Sequence, residues 1–383
     1  MSRHTKQHSL LIDALRALAS ILIVLHHLAF YGPMADHVRP FGPRLWQWMA
    51  NDARMAVQVF LVLGGFLAAR SLAPAGRLGE APLGPLLWNR FLRLALPYYV
   101  ILLIAVAGNE LARAWMAHDS ISAPPSLGQL LAHVLLLHDL LGYEALSAGL
   151  WYVAIDMQLF LLMAALLWFG RFADRKMHRL HARRPFNGAL VLVSLLGLVS
   201  LFHFNRDYAW DAWVLYFFGA YALGALAWWA SNQARALPWL IAMTACTAGA
   251  LLMTFRAGLL LALVVALLLG WTTWRHRTGH SAAIPAPDGP DAVGNTIRWL
   301  GRISYSLFLV HFPVCLVINA AFTRFMPSAA GWQALGIGVA FAASVASGAL
   351  FHRFVETPLM HRVGRTTVAP GTVISLKPSP PPP

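Results

Sequence analysis

Charged residues are scarce in this chain. Asp, Glu, Lys and Arg make up only 11% of its 383 residues, whereas a soluble domain usually contains about 25%. So few charges cannot cover the surface of a globule of this size, which excludes an ordinary water-soluble protein. Hydrophobic residues account for 58% of the sequence and recur in long runs, which indicates an integral membrane protein with several spans.

Acidic residues are fewer than basic ones, and the formal net charge is +14. In a soluble protein this imbalance would indicate a nucleic-acid partner. Here the basic residues are concentrated in alternate loops between the apolar runs. Membrane orientation explains that pattern, so the lipid bilayer is a predicted partner and nucleic acid is not.

Cysteine is almost absent, with Cys246 and Cys315 both inside apolar runs. Two separated thiols provide neither a disulfide framework nor a metal site. His133 and His138 lie about 140° apart on a helix, which excludes them as a helical metal pair. The sequence also lacks G-x-S-x-G, H-E-x-x-H and P-loop motifs. We therefore predict no metal and no bound cofactor.

The long apolar runs predict an all-α fold, a polytopic transmembrane bundle, because every backbone group in lipid must be hydrogen-bonded. The segment 127–141 is too short to cross and predicts a re-entrant or interfacial helix. About ten spans are predicted, at residues 10–30, 55–71, 95–112, 148–169, 187–204, 211–230, 237–254, 257–274, 304–322 and 332–354.

The distribution of Lys and Arg predicts the orientation. With the N-terminus in the cytoplasm, inner segments contain 21 of these residues and outer segments contain 7, while Arg16 lies inside a span. This bias predicts that both termini are cytoplasmic. The first run also resembles a signal peptide, but no A-x-A pattern follows it, which favours a retained span. We divide the chain into a cytoplasmic segment 1–9, a membrane domain 10–362 and a proline-rich cytoplasmic tail 363–383, predicted to be disordered.

The first span carries three basic side chains in an apolar helix. Arg16 and His27 are eleven residues apart, which places them within about 20° on one helical face, whereas His26 lies about 80° away. Along the axis Arg16 and His27 are separated by roughly 16–17 Å, with Arg16 nearer the inner side. Arg16 could instead extend to the inner phosphates with Asp13 as its partner, and His27 could be an interfacial residue.

Polar residues also interrupt later spans. Asp156 follows Trp151 by five residues and needs a histidine or arginine partner in lipid. Arg90 and Arg93 lie one turn apart at an inner edge, where they suit either phosphate binding or anchoring. The remaining candidates are Ser304, Tyr305, Ser306 and His311, which helix packing also explains, and Glu356, for which a salt bridge with Arg353 is the alternative.

These motifs, in this order, resemble the acyltransferase-3 family of bacterial integral-membrane acyltransferases over roughly residues 9–362. The resemblance is carried by "LIDALRALASILIVLHH", "VQVFLVLGGFLAARS", "RFLRLALPYYV", "LWYVAIDMQLF", "FFGAYALGAL", "GRISYSLFLVHFPV" and "FVETPL". The spacing of Arg16 and His27 matches the family signature. This chain differs from the family pattern at Gly64, where serine is usual, and at Asp156, where glutamate is usual.

The resemblance implies ten helices and an enzyme of the bacterial inner membrane. Such an enzyme takes an acyl group, usually acetyl, from cytoplasmic acyl-CoA to a hydroxyl of a carbohydrate or related acceptor, such as a surface polysaccharide. It implies that His27 is the catalytic histidine and that Arg16, Arg90 and Arg93 serve the acyl-CoA end. Asp156 would orient or charge-stabilise the imidazole. Direct transfer with His27 as general base and an acyl-histidine intermediate both remain open.

Two rival functions fit parts of the sequence. A transporter or exporter of a glycan or lipid would also need ionisable residues in its spans. No paired inverted repeats or matched broken spans support it. A purely structural membrane protein would leave Arg16, His27 and Asp156 unexplained. The sequence favours the acyltransferase, and it indicates neither the acceptor nor the oligomeric state.

Overall fold

The structure is a computed structural model that describes residues 3–180, 187–279 and 291–367, with side chains in 10–177, 187–279 and 291–363. Those ranges contain helices and no β-strand. The α-helices are α1 (Arg3–Phe30), α2 (Pro33–Val38), α3 (Pro43–Asn51), α4 (Val57–Leu72), α5 (Leu83–Trp115), α6 (Leu127–Val134), α7 (Leu150–Leu180), α8 (Gly188–Phe202), α9 (Val214–Ser231), α10 (Leu237–Met253), α11 (Ala257–Arg277), α12 (Ala292–Phe325), α13 (Ala330–Phe351) and α14 (Thr357–Thr367). A π-helix, His352–Glu356, joins the last two.

Nine helical stretches in the described ranges are long and apolar enough to cross a bilayer. The remaining predicted span corresponds to α10, whose 17 residues extend about 26 Å, slightly less than the ~30 Å hydrocarbon core. The predicted all-α, multi-pass bundle is therefore confirmed.

The helices extend further than the predicted spans. α1 begins at Arg3, so most of the predicted cytoplasmic segment 1–9 continues the first helix. α14 ends at Thr367, so the first residues of the predicted disordered tail are helical. Residues 368–383 of that tail lie outside the described residues, as do 280–290 of the linker before α12.

Two groups of helices form the core. α12 packs against α1, α5 and α13, while α4 packs against α9 and α11. The contact between α4 and α9 depends on glycine. A methyl group at Gly65 would overlap the carbonyl oxygen of Tyr221, and one at Gly224 would overlap that of Val62. The two backbones can therefore approach closely only without side chains at these positions.

The segment between α5 and α7 folds back along the bundle. Its only α-helix, α6, has eight residues, in agreement with the prediction of a short non-crossing helix. The amide of Gln158 donates to the carbonyl oxygen of Leu136 over 2.8 Å. Because Gln158 lies eight residues into α7, this contact is about 12 Å from the start of that helix.

Candidate active site

Two histidines from different helices are in contact inside the bundle. His27 lies on α1 and His311 on α12, and both are buried. Nδ1 of His27 is 2.6 Å from Nε2 of His311, and the two rings stack with their centroids 4.9 Å apart. Nδ1 of His311 is 2.8 Å from the carbonyl oxygen of Phe308 and 3.1 Å from that of Leu307. The contact therefore forms a chain from His27 through His311 to the backbone of α12.

This series of hydrogen bonds determines which ring nitrogen carries the hydrogen in each of the two neutral histidines. A carbonyl oxygen can only accept, so Nδ1 of His311 carries the hydrogen and donates it to the backbone. Nε2 of His311 then accepts the hydrogen bond from Nδ1 of His27. The free lone pair of His27 is consequently on Nε2, which is the atom able to accept a proton from a substrate.

His27 lines a cavity of about 680 Å³. The cavity is enclosed by the segments that the charge pattern predicts to face outward. Aromatic rings line part of its wall, including those of Tyr31, Trp151 and Tyr208. Amides and carboxylates line the rest, including Asn51, Gln58, Asp119, Glu144, Asn205 and Asp211. This mixture of flat rings and hydrogen-bonding groups can hold a polar molecule with several hydroxyls.

His26 lies in the same cavity but has a different partner. Its Nδ1 is 3.2 Å from the carbonyl oxygen of Met49 on α3, and its ring is 4.9 Å from that of His27. Of the two histidines, His27 is the one within hydrogen-bonding distance of His311, and its selection as the base stays a prediction. The helical-face calculation did not predict that one cavity reaches both His26 and His27.

A second polar cluster lies on the inner side of the first. Arg90 forms an ion pair with Asp156, and its guanidinium group lies 5.2 Å over the ring of Phe160. Arg16 is within electrostatic range of both members of this pair and of Asp13. The predicted partner for Asp156 is thus an arginine. The predicted pairing of Asp156 with the imidazole is not seen, because His311 occupies that position.

Three aromatic rings lie between the cluster and the cavity. The rings of Phe60, Tyr152 and Phe308 are in mutual contact, with centroids 5.3 to 5.9 Å apart. Phe308 also lines the cavity, whereas Tyr152 is within electrostatic range of Arg90 and Asp156. These rings therefore separate His27 from the inner charges. The sequence analysis missed Phe60, Tyr152 and Phe308, and only the adjacency of Tyr152 to Trp151 was a signal.

The other predicted residues have structural partners. Ser304 donates to the carbonyl oxygen of Gly301 over 2.8 Å, and Tyr305 to that of Leu94 over 2.9 Å. Ser306 donates to Glu356, which also lies 3.1 Å from Nδ1 of His352. These bonds connect α12 to α5 and to the π-helix.

The two basic residues at the inner edge have different surroundings. Arg353, the alternative partner of Glu356, lies instead 5.3 Å over the ring of Phe354. Arg93 is exposed, in contrast to the half-buried Arg90 one turn earlier. Arg93 is therefore accessible to a ligand from the side that the charge pattern predicts to be cytoplasmic.

Within the described side chains no three His, Cys, Asp or Glu residues are arranged to hold a metal ion.

Comparison with known proteins identifies the family. No curated protein and no solved structure shows significant similarity to the chain. A family model described as an acyltransferase domain, Acyl_transf_3, matches residues 10–351. Because this match covers nearly the whole chain, including the His27–His311 contact and the Arg90–Asp156 pair, the protein belongs to the acyltransferase-3 family of membrane acyltransferases.

Proposed function

We propose that this acyltransferase moves an acyl group, most simply acetyl, from cytoplasmic acyl-CoA to a hydroxyl of a carbohydrate or related acceptor. The acceptor is a cell-surface or exported polysaccharide, and the enzyme resides in the bacterial inner membrane. One observation carries the proposal. Nε2 of His27 is left free by the bond from Nδ1 to His311, and His27 lines a polar cavity.

The chemistry follows from that free lone pair. Nε2 of His27 takes the proton of the acceptor hydroxyl while the hydroxyl oxygen attacks the thioester carbonyl carbon. The carbon–sulfur bond breaks, and the CoA thiolate receives the proton back from Nε2. An ester and free CoA are the products. His311 is a positioning residue, because it fixes the tautomer of His27 as the third group does in a hydrolase triad.

The inner cluster supports the donor side of the proposal. CoA carries phosphate groups, and arginine is the side chain best suited to bind them. Arg93 is the most accessible of the three predicted arginines, whereas Arg90 is held by Asp156. We assign Arg93 to the phosphates and Arg16 and Arg90 to the polar path that the pantetheine arm follows. In this arrangement Asp156 supports catalysis through Arg90.

The cavity supports the acceptor side. Aromatic rings next to amides and carboxylates are a typical surface for sugar rings, which present apolar faces and hydroxyl edges. Trp151 and Tyr31 line the same cavity as His27, and the ring of Tyr31 is 5.4 Å from that of His27. A hydroxyl of a bound sugar can therefore approach Nε2 while its ring packs on an aromatic side chain.

The proposal is tested with purified protein in lipid vesicles, labelled acetyl-CoA and an oligosaccharide panel. We expect mass spectrometry to find an acetyl ester on an oligosaccharide with wild-type protein and almost none with His27→Ala. Transport of unmodified oligosaccharide without ester formation would support an exporter instead.

The donor assignment has its own comparison. Arg93→Ala should raise the KM for acetyl-CoA by about 10- to 100-fold, since a hydrogen bond to a charged group contributes about 1.5–3 kcal/mol. Arg235→Ala, in an inner loop far along the chain, is the matched control and should not change it. An unchanged KM in Arg93→Ala would show that this arginine only anchors the helix.

A further inference from the structure

Two arginines on the wall of the cavity have no acidic partner. Arg54 and Arg256 both line the cavity that contains His27. Among the described side chains, no carboxylate oxygen lies within 4.0 Å of either guanidinium group. Of the other outer arginines, Arg39 is 3.3 Å from Asp36 and Arg113 is 2.6 Å from Glu110, whereas Arg44, Arg206 and Arg324 form no ion pair with a described side chain and do not line this cavity. The cavity thus contains two cations whose charge is not neutralised by an ion pair.

The position of these arginines in the chain makes them unusual. Lys and Arg are disfavoured in the outer loops of membrane proteins, and this chain has only seven there. Two of these seven, Arg54 and Arg256, line the cavity that also contains the candidate base. Membrane orientation, which explains the inner arginines, provides no reason for them.

Arg256 is held in place by neutral groups. It donates to the backbone and side-chain oxygens of Asn205, and its Nη2 is 3.3 Å from the carbonyl oxygen of Leu201. Its Nε is buried and has no partner. Burial lowers the pKa of Arg256, so the fold disfavours this cation rather than neutralising it. An anionic ligand would supply the missing countercharge.

The N-terminus of α11 adds to the positive potential. Arg256 is the residue before this 21-residue helix and provides no side-chain cap. Ala257 and Gly258, whose backbone amides begin the helix, also line the cavity. Free amides at a helix N-terminus attract negative charge. The cavity corner therefore combines two guanidinium groups with an uncapped helix end.

Acidic residues also line this cavity. Glu144 is 3.4 Å from the hydroxyl of Ser122, and Tyr31 is within its electrostatic range. Arg54, Arg256 and Asp211 are all within electrostatic range of Tyr216. Asp52 and Asp211 line the same cavity, and neither forms an ion pair with Arg54 or Arg256. The cavity thus presents unpaired cations as well as carboxylates, and each suits a different part of one ligand.

We propose that the corner formed by Arg54, Arg256 and the start of α11 binds an anionic group of the acceptor, so that the acceptor is an acidic carbohydrate. This inference rests on the proposed function, since it concerns the same cavity. The anion is a carboxylate of a uronic-acid unit or a phosphate carried by a sugar. With the anion in the corner, a neutral hydroxyl of the same or the next sugar lies toward His27.

The test compares acceptors of equal length in the reconstituted full-length enzyme. A neutral oligosaccharide, its uronic-acid counterpart and a sugar phosphate are each offered with labelled acetyl-CoA. We expect kcat/KM for one of the acidic acceptors to exceed that for the neutral one by about 10- to 100-fold, as for one charge-assisted contact. The preferred acidic acceptor identifies the source of the anion.

Variants assign the preference to the corner. Arg54→Gln should reduce the ratio of kcat/KM for the acidic acceptor to that for the neutral one from about 10–100 to about one. This variant is the primary one, because Arg54 is exposed and Arg256 also fastens the loop at Asn205. Arg39→Gln, outside the cavity and paired with Asp36, is the control and should keep the preference.

A binding measurement separates this inference from the proposed function. The acidic oligosaccharide should raise the melting temperature of the wild-type enzyme more than that of Arg54→Gln, with or without acetyl-CoA. No ester product with any acceptor, together with this difference in binding, would overturn the acyl-transfer proposal and leave the anion site standing. Equal kcat/KM for acidic and neutral acceptors, or equal stabilisation of both proteins, would overturn the anion site.

Discussion

At the scale of single residues, helix periodicity selected Arg16 and His27 without any knowledge of how the helices pack. The common face of Arg16 and His27 follows from their spacing, and the structure places Arg16 near the inner ion pair and His27 in the outer cavity. The contact with His311 could not be predicted in the same way. It depends on how α1 and α12 pack, and 284 residues separate the two histidines in the chain. The same reason hid the pairing of Asp156 with Arg90.

His311→Phe should slow acyl transfer by on the order of 10²-fold with little change in KM for the acceptor, because His27 loses the group that fixes its tautomer. His311→Gln should recover part of the rate, since its side-chain oxygen can accept the hydrogen from Nδ1. The measurement is kcat for both variants at matched protein levels. Equal losses in the two variants would show that His311 serves packing only.

Asp139 offers a prediction about pH. Burial and the neighbouring Asp211 raise the pKa of Asp139 to about 6, and its Oδ2 atom is buried without a hydrogen bond, 3.6 Å from Nε2 of His138. The pKa of this carboxyl is thus higher in the folded protein than its unfolded value of about 3.9. Its contribution to stability is fully present below pH 3.9 and is lost as the pH rises through about 6. Asp139→Asn should therefore stabilise the protein at pH 7.5 relative to wild type. At about 1.4 kcal/mol per pH unit across this window, the gain should decrease by up to about 3 kcal/mol toward pH 4.

The measurement compares unfolding free energies of Asp139→Asn and wild type in detergent at each pH. Comparison at equal pH matters because burial also lowers the pKa of the adjacent His138 to about 3. That histidine makes both proteins less stable in acid, and its contribution largely cancels in the difference. A difference that is constant between pH 4 and 7.5 would contradict the assigned direction for Asp139.

At the scale of helices, the sequence predicted which segments form them better than where they end. Apolar runs mark only the part of a helix that lies in lipid. α5 begins at Leu83 and α12 at Ala292, each twelve residues before its predicted span. These extensions contain charged residues but no proline beyond the first turn, where Pro85 is tolerated, so the backbone continues beyond the apolar part. The close packing of α4 on α9 was also beyond single-sequence reading.

Gly65→Ala tests that packing. The added methyl group would overlap a backbone carbonyl of α9, which cannot move as a side chain can. We expect a loss of about 1–3 kcal/mol in the free energy of unfolding. Gly338→Ala in α13 is the matched control, since nothing lies within 4 Å of its new methyl group. Alanine there should be neutral or stabilising by up to about 1 kcal/mol. Equal effects of the two changes would contradict the close approach of the α4 and α9 backbones.

At the scale of the whole molecule, the charge pattern predicts an orientation. The prediction is tested in a variant without Cys246 and Cys315 that carries one new cysteine, Phe41→Cys or Arg175→Cys, at two exposed positions. An impermeant thiol reagent should label Phe41→Cys in intact cells and Arg175→Cys only after the membrane is opened. Labelling of Arg175→Cys in intact cells would reverse the orientation and put the His27 cavity on the cytoplasmic side.

The central claim is that His27 acts as the base for acyl transfer across the bundle, from a donor inside to an acceptor outside. The most direct measurement uses sealed inverted membrane vesicles, with labelled acetyl-CoA outside them at the cytoplasmic face and the acceptor enclosed. Wild-type protein should produce enclosed acetylated acceptor. His27→Ala should reduce this by on the order of 10²–10⁴-fold, and His26→Ala, which keeps the bond to His311, should have a much smaller effect. An active His27→Ala beside an inactive His26→Ala would contradict the assignment of the base and with it the account of the site.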